Sequence, residues 1–222
     1  MSNPVIVVVG AGRGIGAAVA RRFGQAGYDV ALIARTAATL QELGEELQGE
    51  GITTGWTPVD ITDAPAFTKA VQRFGEHSGS LTHLHFNPSA FTPKKPLELP
   101  ADELLADLRL GAASLLTLVQ AAHPFMSAGG RITATGNTTA DRPWTSAASL
   151  GVQKAALRNL VQAFDIQLKS RGIRAMSLNV AGTVEEGTPF APARIADALY
   201  AAATTSDENW QREVRFTGEV TE

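Results

Sequence analysis

The feature that most constrains the fold is an apolar run that ends directly in a glycine-rich loop. Residues 4–9 read PVIVVV, and residues 10–16 read GAGRGIG. An unbroken run of β-branched residues is typical of a strand that is buried on both faces of a parallel sheet. The helix formers that follow, from Ala17 to Gln25, predict a helix that starts at the loop. The chain therefore opens with a strand, a glycine turn and a helix, which together begin a βαβ unit.

The same alternation of strands and helices repeats along the chain. Further strands are predicted at residues 29–34, 52–58, 81–86, 131–135 and 174–180, with an edge strand at 213–220. Further helices are predicted at residues 36–50, 63–74, 101–126, 144–170 and 192–204. This pattern, with its short connections, predicts one α/β domain over residues 1–222, with a Rossmann-type doubly wound parallel sheet in a three-layer α/β/α arrangement.

Composition narrows the class of protein. The chain has 222 residues, a net charge of −3 and no cysteine, which excludes disulfides and cysteine nucleophiles. Lysine and arginine are scattered without a basic stripe, so no nucleic-acid partner is expected. Apolar runs such as PVIVVV and SLLTLV are short for a membrane span, and a strand begins almost at the N-terminus in place of a signal peptide. We therefore expect a cytoplasmic protein with no membrane partner.

The glycine loop indicates a dinucleotide site. Gly10, Gly14 and Gly16 have the spacing G-x-x-x-G-x-G, and Gly12 adds a further glycine. Glycines let the backbone approach a pyrophosphate closely, and the following helix directs free N–H groups and its positive dipole end at that anion. Strand-to-helix turns also favour glycine for steric reasons alone, but the combination of strand, loop and helix favours phosphate binding.

Two arginines bear on which dinucleotide is bound. The second predicted strand is followed by Arg35, at the place where an NAD-preferring site would carry an acid for the ribose 2′-hydroxyl. An arginine there favours a 2′-phosphate instead. Arg13, inside the glycine loop, can reach the same region. Either arginine alone could be a solvated surface charge, but the two together predict NADP(H) as the cofactor.

Five segments, in order along the chain, resemble motifs of the short-chain dehydrogenase/reductase family. They are the glycine loop after Val9, VDITD with Asp60, FNPSA with Asn87, GVQKAAL with Lys154, and VAGTV with Gly182 and Thr183. The resemblance implies that Asp60 contacts the adenine and that the VAGTV segment abuts the nicotinamide. The cofactor residues expected on all these grounds are Gly10, Gly12, Arg13, Gly14, Ile15, Gly16, Arg35, Asp60, Asn87, Lys154, Gly182 and Thr183.

The catalytic tetrad of that family, Asn, Ser, Tyr and Lys, is incomplete in this chain. By the resemblance, the asparagine position falls at Gly111, the serine position at Asn137 and the tyrosine position at Leu150, so only Lys154 is retained. If the match of the loop to the family motif is shifted by one residue, Thr138 takes the place of the serine. The tyrosine and lysine positions lie one helical turn apart and cannot slip. The expected catalytic residues are therefore Lys154 and Asn137.

The missing tyrosine removes the proton donor of the family mechanism. General acid catalysis is typically worth about 10²–10⁴-fold, whereas hydride transfer from the cofactor and proximity are retained. We therefore expect hydride transfer between NADPH and a small-molecule carbonyl, enone or quinone-type substrate whose reduced form is a stabilised anion. Asn137 would donate a hydrogen bond to that anion, while Lys154 would hold the ribose and order a water.

Two other functions remain open at this stage. The protein could bind NADP(H) without turnover, as a sensor or as an inactive subunit partnered with an active relative. It could also be a binding module unrelated to nucleotides, in which case the glycine loop and Arg35 would be coincidental.

Three further features concern assembly, pocket closure and metals. The long helices predicted at residues 101–126 and 144–170 resemble the four-helix dimer interface of the family, which implies a homodimer or homotetramer. Only residues 185–190 stand where the family usually carries a substrate-covering insertion, so the pocket is expected to be open or closed by another subunit. His83 and His85 share one face of a strand, but neither has an acidic or cysteine neighbour at ligand spacing, so no metal site is expected.

Overall fold

The computed structural model describes residues 3–219, which contain seven strands in one parallel sheet. The strands are β1 (Val5–Val9), β2 (Asp29–Ala34), β3 (Thr54–Pro58), β4 (His83–Phe86), β5 (Arg131–Asn137), β6 (Arg174–Val180) and β7 (Glu213–Phe216). Their order is β3-β2-β1-β4-β5-β6-β7, and every neighbouring pair is parallel. The direction of strand succession reverses between β1 and β4, which is where open α/β sheets bind their ligands.

Two layers of helices cover the sheet. The helices are α1 (Ile15–Gln25), α2 (Ala37–Gly49), α3 (Ala64–Ser78), α4 (Ala101–Leu108), α5 (Ser114–Ala122), α6 (Ala148–Leu168) and α7 (Pro192–Ala203). On β1, Val7 and Val9 face the layer of α3, α5 and α6, while Ile6 and Val8 face the layer of α1, α2 and α7. Both faces of β1 are therefore buried, as its β-branched sequence predicts. The predicted single doubly wound domain with three layers is confirmed.

Several element boundaries differ from the sequence predictions. The helix predicted at residues 101–126 is interrupted by one π-helical turn, Arg109–Ala113. The sequence did not indicate this turn, because a single wider turn leaves almost no trace in the 3.6-residue periodicity. Residues 145–147 form a separate 3₁₀ turn before α6. The predicted edge strand at 213–220 is observed as β7, which ends before Gly218, a glycine with a φ of +79°. Val220, the last residue of that prediction, lies outside the described residues.

The helical segment Ala101–Phe125 is long and apolar enough to cross a membrane by length and composition alone, the one such segment in residues 3–219. Buried core helices pass the same test. Leu115, Leu118 and Ala122 in this segment are buried in the core beside α3 and the sheet. The place of this segment in the core thus accounts for part of its apolar composition, since 39% of its most apolar stretch is buried.

The outer surface of α4 and α6 exposes large apolar side chains. Leu105 on α4 and Val152 and Ile166 on α6 are all exposed. These helices are the ones expected to form the contact between subunits. The homodimer or homotetramer remains a prediction.

Candidate active site

The loop between β1 and α1 contains two kinds of glycine. Gly10 has a φ of +79°, and a Cβ on Gly16 would overlap the carbonyl oxygen of Gly10. Gly10 is thus required by its backbone conformation, and Gly16 by the close packing of the loop against the start of α1. Gly12 and Gly14, in contrast, have open space where a Cβ would lie. The backbone at these two positions is therefore accessible to a ligand.

The N-terminus of α1 faces the same space without a side-chain cap. The helix begins at Ile15, and Gly14 at the N-cap has no side chain that could accept its first N–H groups. The loop is held by backbone hydrogen bonds from Ala17 N–H to the Gly12 carbonyl at 3.0 Å and from Ala18 N–H to the Gly14 carbonyl at 3.2 Å. Uncapped N–H donors and the positive end of the helix dipole form an anion site. The loop therefore has the construction expected for a pyrophosphate.

A cavity of about 370 Å³ lies beside this loop, over the carboxyl ends of β1, β2 and β3. It brings together four of the expected cofactor residues, namely Gly10, Gly12, Arg35 and Asp60. Another cavity, of about 390 Å³, lies at the opposite edge of the sheet and contains none of the expected residues. A third cavity, of about 360 Å³, contains two of them, Arg13 and Gly14. The cavity that holds four, which we call the loop cavity, is therefore the candidate cofactor site.

The loop cavity contains Asp60 and Arg35 but not Arg13, which was expected in the same region as Arg35. Asp60 accepts hydrogen bonds from the side chain and backbone of Thr62, and these bonds lower the pKa of Asp60, with a smaller contribution from the charge of Arg35. Arg35 lines the cavity and has no ion pair within residues 3–219. Arg13 does not line this cavity and instead pairs with Glu42 at 2.7 Å. Because this pair is exposed, it is weak, and Arg13 can exchange Glu42 for another anion.

Asn87 connects the glycine loop to the strand beside Lys154. Its Nδ2 donates to the Gly10 carbonyl at 3.1 Å, and its Oδ1 accepts the hydroxyl of Thr135 at 2.8 Å. Lys154 reaches the same strand from α6, because its Nζ donates to the Thr135 carbonyl at 2.9 Å. The glycine loop, Asn87, Thr135 and Lys154 therefore form one hydrogen-bonded unit at the carboxyl ends of the central strands.

His83 and His85 extend this unit through the buried interior of the sheet. His85 Nε2 lies 3.4 Å from the Thr135 hydroxyl and His85 Nδ1 lies 2.9 Å from the Thr133 hydroxyl, which His83 Nε2 approaches at 2.8 Å. Since Thr135 gives its proton to Asn87, all contacts are satisfied when each histidine carries its proton on Nε2. Burial lowers the pKa of His83 and, with the charge of Lys154, lowers that of His85 to about 3. Both rings are therefore neutral, hydrogen-bonded core residues.

No group of three or more potential metal ligands among His, Cys, Asp and Glu is present in the described part of the chain.

Lys154 is buried, with 4% of its surface exposed. Desolvation lowers its pKa from 10.5 to about 8. Its ammonium group has three N–H donors, and within residues 3–219 one of them is used, on the Thr135 carbonyl. Two donors are therefore left for a ribose hydroxyl or a water.

Asn137 ends β5 and caps the turn that follows. Its Oδ1 accepts the Thr139 N–H at 2.8 Å, which fixes the orientation of the amide. The Nδ2 group therefore points elsewhere, and it has no hydrogen-bond partner in the described part of the chain. Asn137 lies two residues beyond Thr135, the strand residue that binds Lys154. It is thus a polar donor at the place where the resemblance puts the catalytic serine.

Leu150 lies on α6, one turn before Lys154, and is half-buried. It has no atom that can donate a proton. The two tyrosines of the chain, Tyr28 and Tyr200, pack against Phe23 near the amino end of β2, on the opposite edge of the sheet. Neither can replace the missing phenol at Leu150.

The segment expected at the nicotinamide forms a short, self-contained loop. A Cβ on Gly182 would collide with the ring of Phe190, so this glycine is needed for packing. Thr188 accepts the Phe190 N–H at 3.1 Å and donates to the Glu185 carbonyl at 2.8 Å. Gly182 and Thr183 both lie outside the loop cavity.

Gln153 is a site residue that the sequence reasoning missed. It is fully buried, and its side-chain amide forms two hydrogen bonds with the backbone of Ala90. Its Oε1 occupies the space that a side chain at Gly111 would need. The available signal was a long polar residue in the small and apolar stretch GVQKAAL, directly before Lys154.

Comparison with known proteins bears on the family of the chain. Residues 4–193 match the model of the short chain dehydrogenase family. An uncharacterized oxidoreductase of Staphylococcus epidermidis is 24% identical over 220 residues, which cover 92% of each protein.

Solved structures resemble nearly the whole chain. A dehydrogenase/reductase from Sinorhizobium meliloti has a TM-score of 0.90 at 22% identity, with 98% of this chain and 95% of that chain covered. A short chain dehydrogenase from Burkholderia cenocepacia in complex with NADP has a TM-score of 0.88 at 25% identity, with 97% and 96% covered. Because the family model matches most of the sequence, the chain belongs to the short chain dehydrogenase family of oxidoreductases.

Proposed function

We propose that the protein transfers hydride between NADPH and a small carbonyl, enone or quinone-type substrate without a tyrosine acid. The observation that carries the proposal is the Nδ2 of Asn137, which has no hydrogen-bond partner within residues 3–219. The Thr139 bond holds its orientation at the end of the strand that binds Lys154. A fixed donor at this place can stabilise negative charge that develops on a substrate oxygen.

The residues present fit a dinucleotide. Gly12 and Gly14 expose their backbone, α1 is uncapped, and Asp60 and Arg35 line the adjoining loop cavity. The complex of the Burkholderia cenocepacia relative with NADP supports the same choice of cofactor. When bound, the nicotinamide supplies the hydride. The loop and α1 would hold the pyrophosphate, and Arg35 would bind the 2′-phosphate.

The protein side of the reaction then depends on two groups. Asn137 donates a hydrogen bond to the developing oxyanion, and preorganised donors of this kind are worth about 10²–10³-fold in kcat. Lys154 binds the ribose and orders a water with its remaining donors. A substrate whose reduced form is a stabilised anion can acquire its proton from that water after the hydride has arrived. Leu150 is therefore compatible with turnover of such substrates.

We expect Asn137→Asp to lower kcat for quinone and enone reduction by about 10²-fold, because the carboxylate keeps the cap on Thr139 but replaces the donor with a negative charge. Steady-state oxidation of NADPH measures this effect, and the affinity for NADPH should change little. Thr138→Val tests whether the neighbouring residue is the donor instead. A loss of kcat in Thr138→Val with no loss in Asn137→Asp would assign the donor to Thr138.

A titration with NADPH followed by a screen of carbonyl and quinone substrates separates the proposed functions. Binding with turnover that Lys154→Ala abolishes supports the oxidoreductase. Binding at micromolar concentration or below with no turnover on any substrate would identify an inactive sensor or partner subunit. A titration without binding would contradict both and favour a module unrelated to nucleotides.

We expect Arg35→Ala to weaken NADPH binding by about 10–100-fold and to leave NADH binding unchanged. The reason is that a hydrogen bond between charged groups contributes about 1.5–3 kcal/mol, and NADH lacks the 2′-phosphate. Fluorescence titrations with both dinucleotides measure this difference. Arg13→Ala is the matched comparison and should have a smaller effect, because Arg13 is engaged with Glu42. An equal loss of affinity for both dinucleotides would contradict the role of Arg35.

A further inference from the structure

The loop that follows β4 is held at two points. At its first residue, Asn87 is bonded to the glycine loop and to Thr135. At Ala90, the backbone N–H donates to Gln153 Oε1 at 3.0 Å, and the carbonyl accepts from Gln153 Nε2 at 2.9 Å. Because these two groups belong to the peptide units on either side of Ala90, one side chain fixes both units. Pro88 and Ser89, between the two points, line the loop cavity.

The burial of Gln153 requires this pairing. A primary amide removed from water is destabilising unless both its donor and its acceptor groups find partners. Gln153 is fully buried, and Ala90 supplies a partner for each group. An apolar residue would fill the same volume in α6 without this requirement. The polar side chain therefore serves the Ala90 backbone rather than helix packing alone.

Gly111 makes room for Gln153. A Cβ at Gly111 would collide with Gln153 Oε1 and lie 2.8 Å from its Cδ. Gly111 belongs to the π-helical turn Arg109–Ala113, so the backbone of the facing helix is itself displaced from regular geometry here. Any residue larger than glycine, including the asparagine that the family resemblance implies at this position, excludes Gln153 from its observed place. An asparagine at position 111 and Gln153 in its observed place are therefore mutually exclusive.

We propose that Gln153 is a positioning residue for the cofactor, which holds the wall formed by Pro88 and Ser89 in place through Ala90, and that Gly111 is the partner that permits it. This inference rests on the proposed binding of NADPH. Without the Gln153 bonds, the wall is held by Asn87 at one end, while its other end loses both of its anchors.

Gln153→Met is the direct test, because methionine has similar length but forms neither hydrogen bond. We expect the Kd for NADPH to rise about 10-fold at a temperature where the variant is fully folded. The matched control is Asp165→Asn, which weakens a buried side chain that binds the Ala175 N–H and two arginines at the amino end of β6. It should lower Tm and leave the Kd unchanged. A Gln153→Met variant that lowers Tm with an unchanged Kd would show a purely structural role and overturn the proposal.

The pairing with Gly111 is tested in a double-mutant cycle. We expect Gly111→Ala to raise the Kd about 10-fold, and to raise it less than 2-fold further when it is combined with Gln153→Met. Independent, multiplying losses would overturn the link between the two positions. If the wild type binds no NADPH at all, the proposed function fails, and the role of Gln153 towards the cofactor fails with it. If the wild type binds NADPH and all variants bind equally well, the role of Gln153 alone is overturned.

Discussion

Asn137→Ser combined with Leu150→Tyr is expected to raise the rate of NADPH-dependent reduction of simple ketones and aldehydes by about 10²–10⁴-fold over the wild type. The double substitution restores a proton donor one helical turn from Lys154, and general acid catalysis has this typical magnitude. Simple carbonyl compounds are the right substrates for this test, because the alkoxide formed on their reduction is strongly basic and needs a proton as it forms.

The surroundings of both positions can accommodate these side chains. Leu150 is half-buried, so a phenol ring can extend from it towards the accessible side of α6. A serine at position 137 can still accept the Thr139 N–H, because serine is as good an N-cap residue as asparagine. The restored tetrad would still lack its asparagine, because that position is Gly111 and Gln153 fills the space that a side chain there would need. Full activity of a regular family member is therefore not expected.

One control isolates the proton donor. Leu150→Phe with Asn137→Ser supplies the same ring without the hydroxyl and should remain at the level of the wild type. Equal gains from phenylalanine and tyrosine would mean that the rate responds to packing rather than to acid catalysis. The absence of any gain, with NADPH binding intact, would place the defect of the wild type elsewhere than at Leu150.

The fold was predictable because its signals are local. The valine run and the glycines of residues 4–16 determine a strand, a turn and a helix within a few residues, and the same kind of pattern recurs along the chain. The structure confirms the resulting parallel sheet. The spacing of Leu150 and Lys154 also rests on a local regularity, the helical repeat, and both residues lie on α6 as predicted.

The arrangement of side chains in the site was less predictable, because it depends on contacts between residues far apart in sequence. Gln153 meets Ala90 and Gly111 where α6, the loop after β4 and the π-helical turn come together. Nothing in any one of these segments indicates the others. For the same reason, the sequence did not indicate that Arg13 pairs with Glu42, which lies 29 positions further along the chain. That Arg13 can reach the 2′-phosphate region stays a prediction.

Lys154→Met is expected to increase the free energy of unfolding by about 1–2 kcal/mol at pH 7 while it abolishes turnover. Burial lowers the pKa of Lys154 from 10.5 to about 8, which corresponds to about 3 kcal/mol of destabilisation of its charged form. The hydrogen bond to the Thr135 carbonyl, which methionine cannot form, offsets part of this gain.

The pH dependence separates this explanation from a simple change in packing. Between pH 8 and 10.5 the unfolded wild type binds more protons at this site than the folded protein, so its free energy of unfolding rises with pH. The advantage of Lys154→Met should therefore be largest below pH 8 and decline towards pH 10.5, as measured by urea unfolding across this range. Lys169→Met, at an exposed site near the end of α6, is the matched control for the removal of a lysine charge. A pH-independent difference for Lys154→Met would contradict the buried charge.

A buried lysine that lowers the free energy of unfolding does not serve the stability of the fold. The expected combination of higher stability with lost turnover would show that the charge serves the reaction.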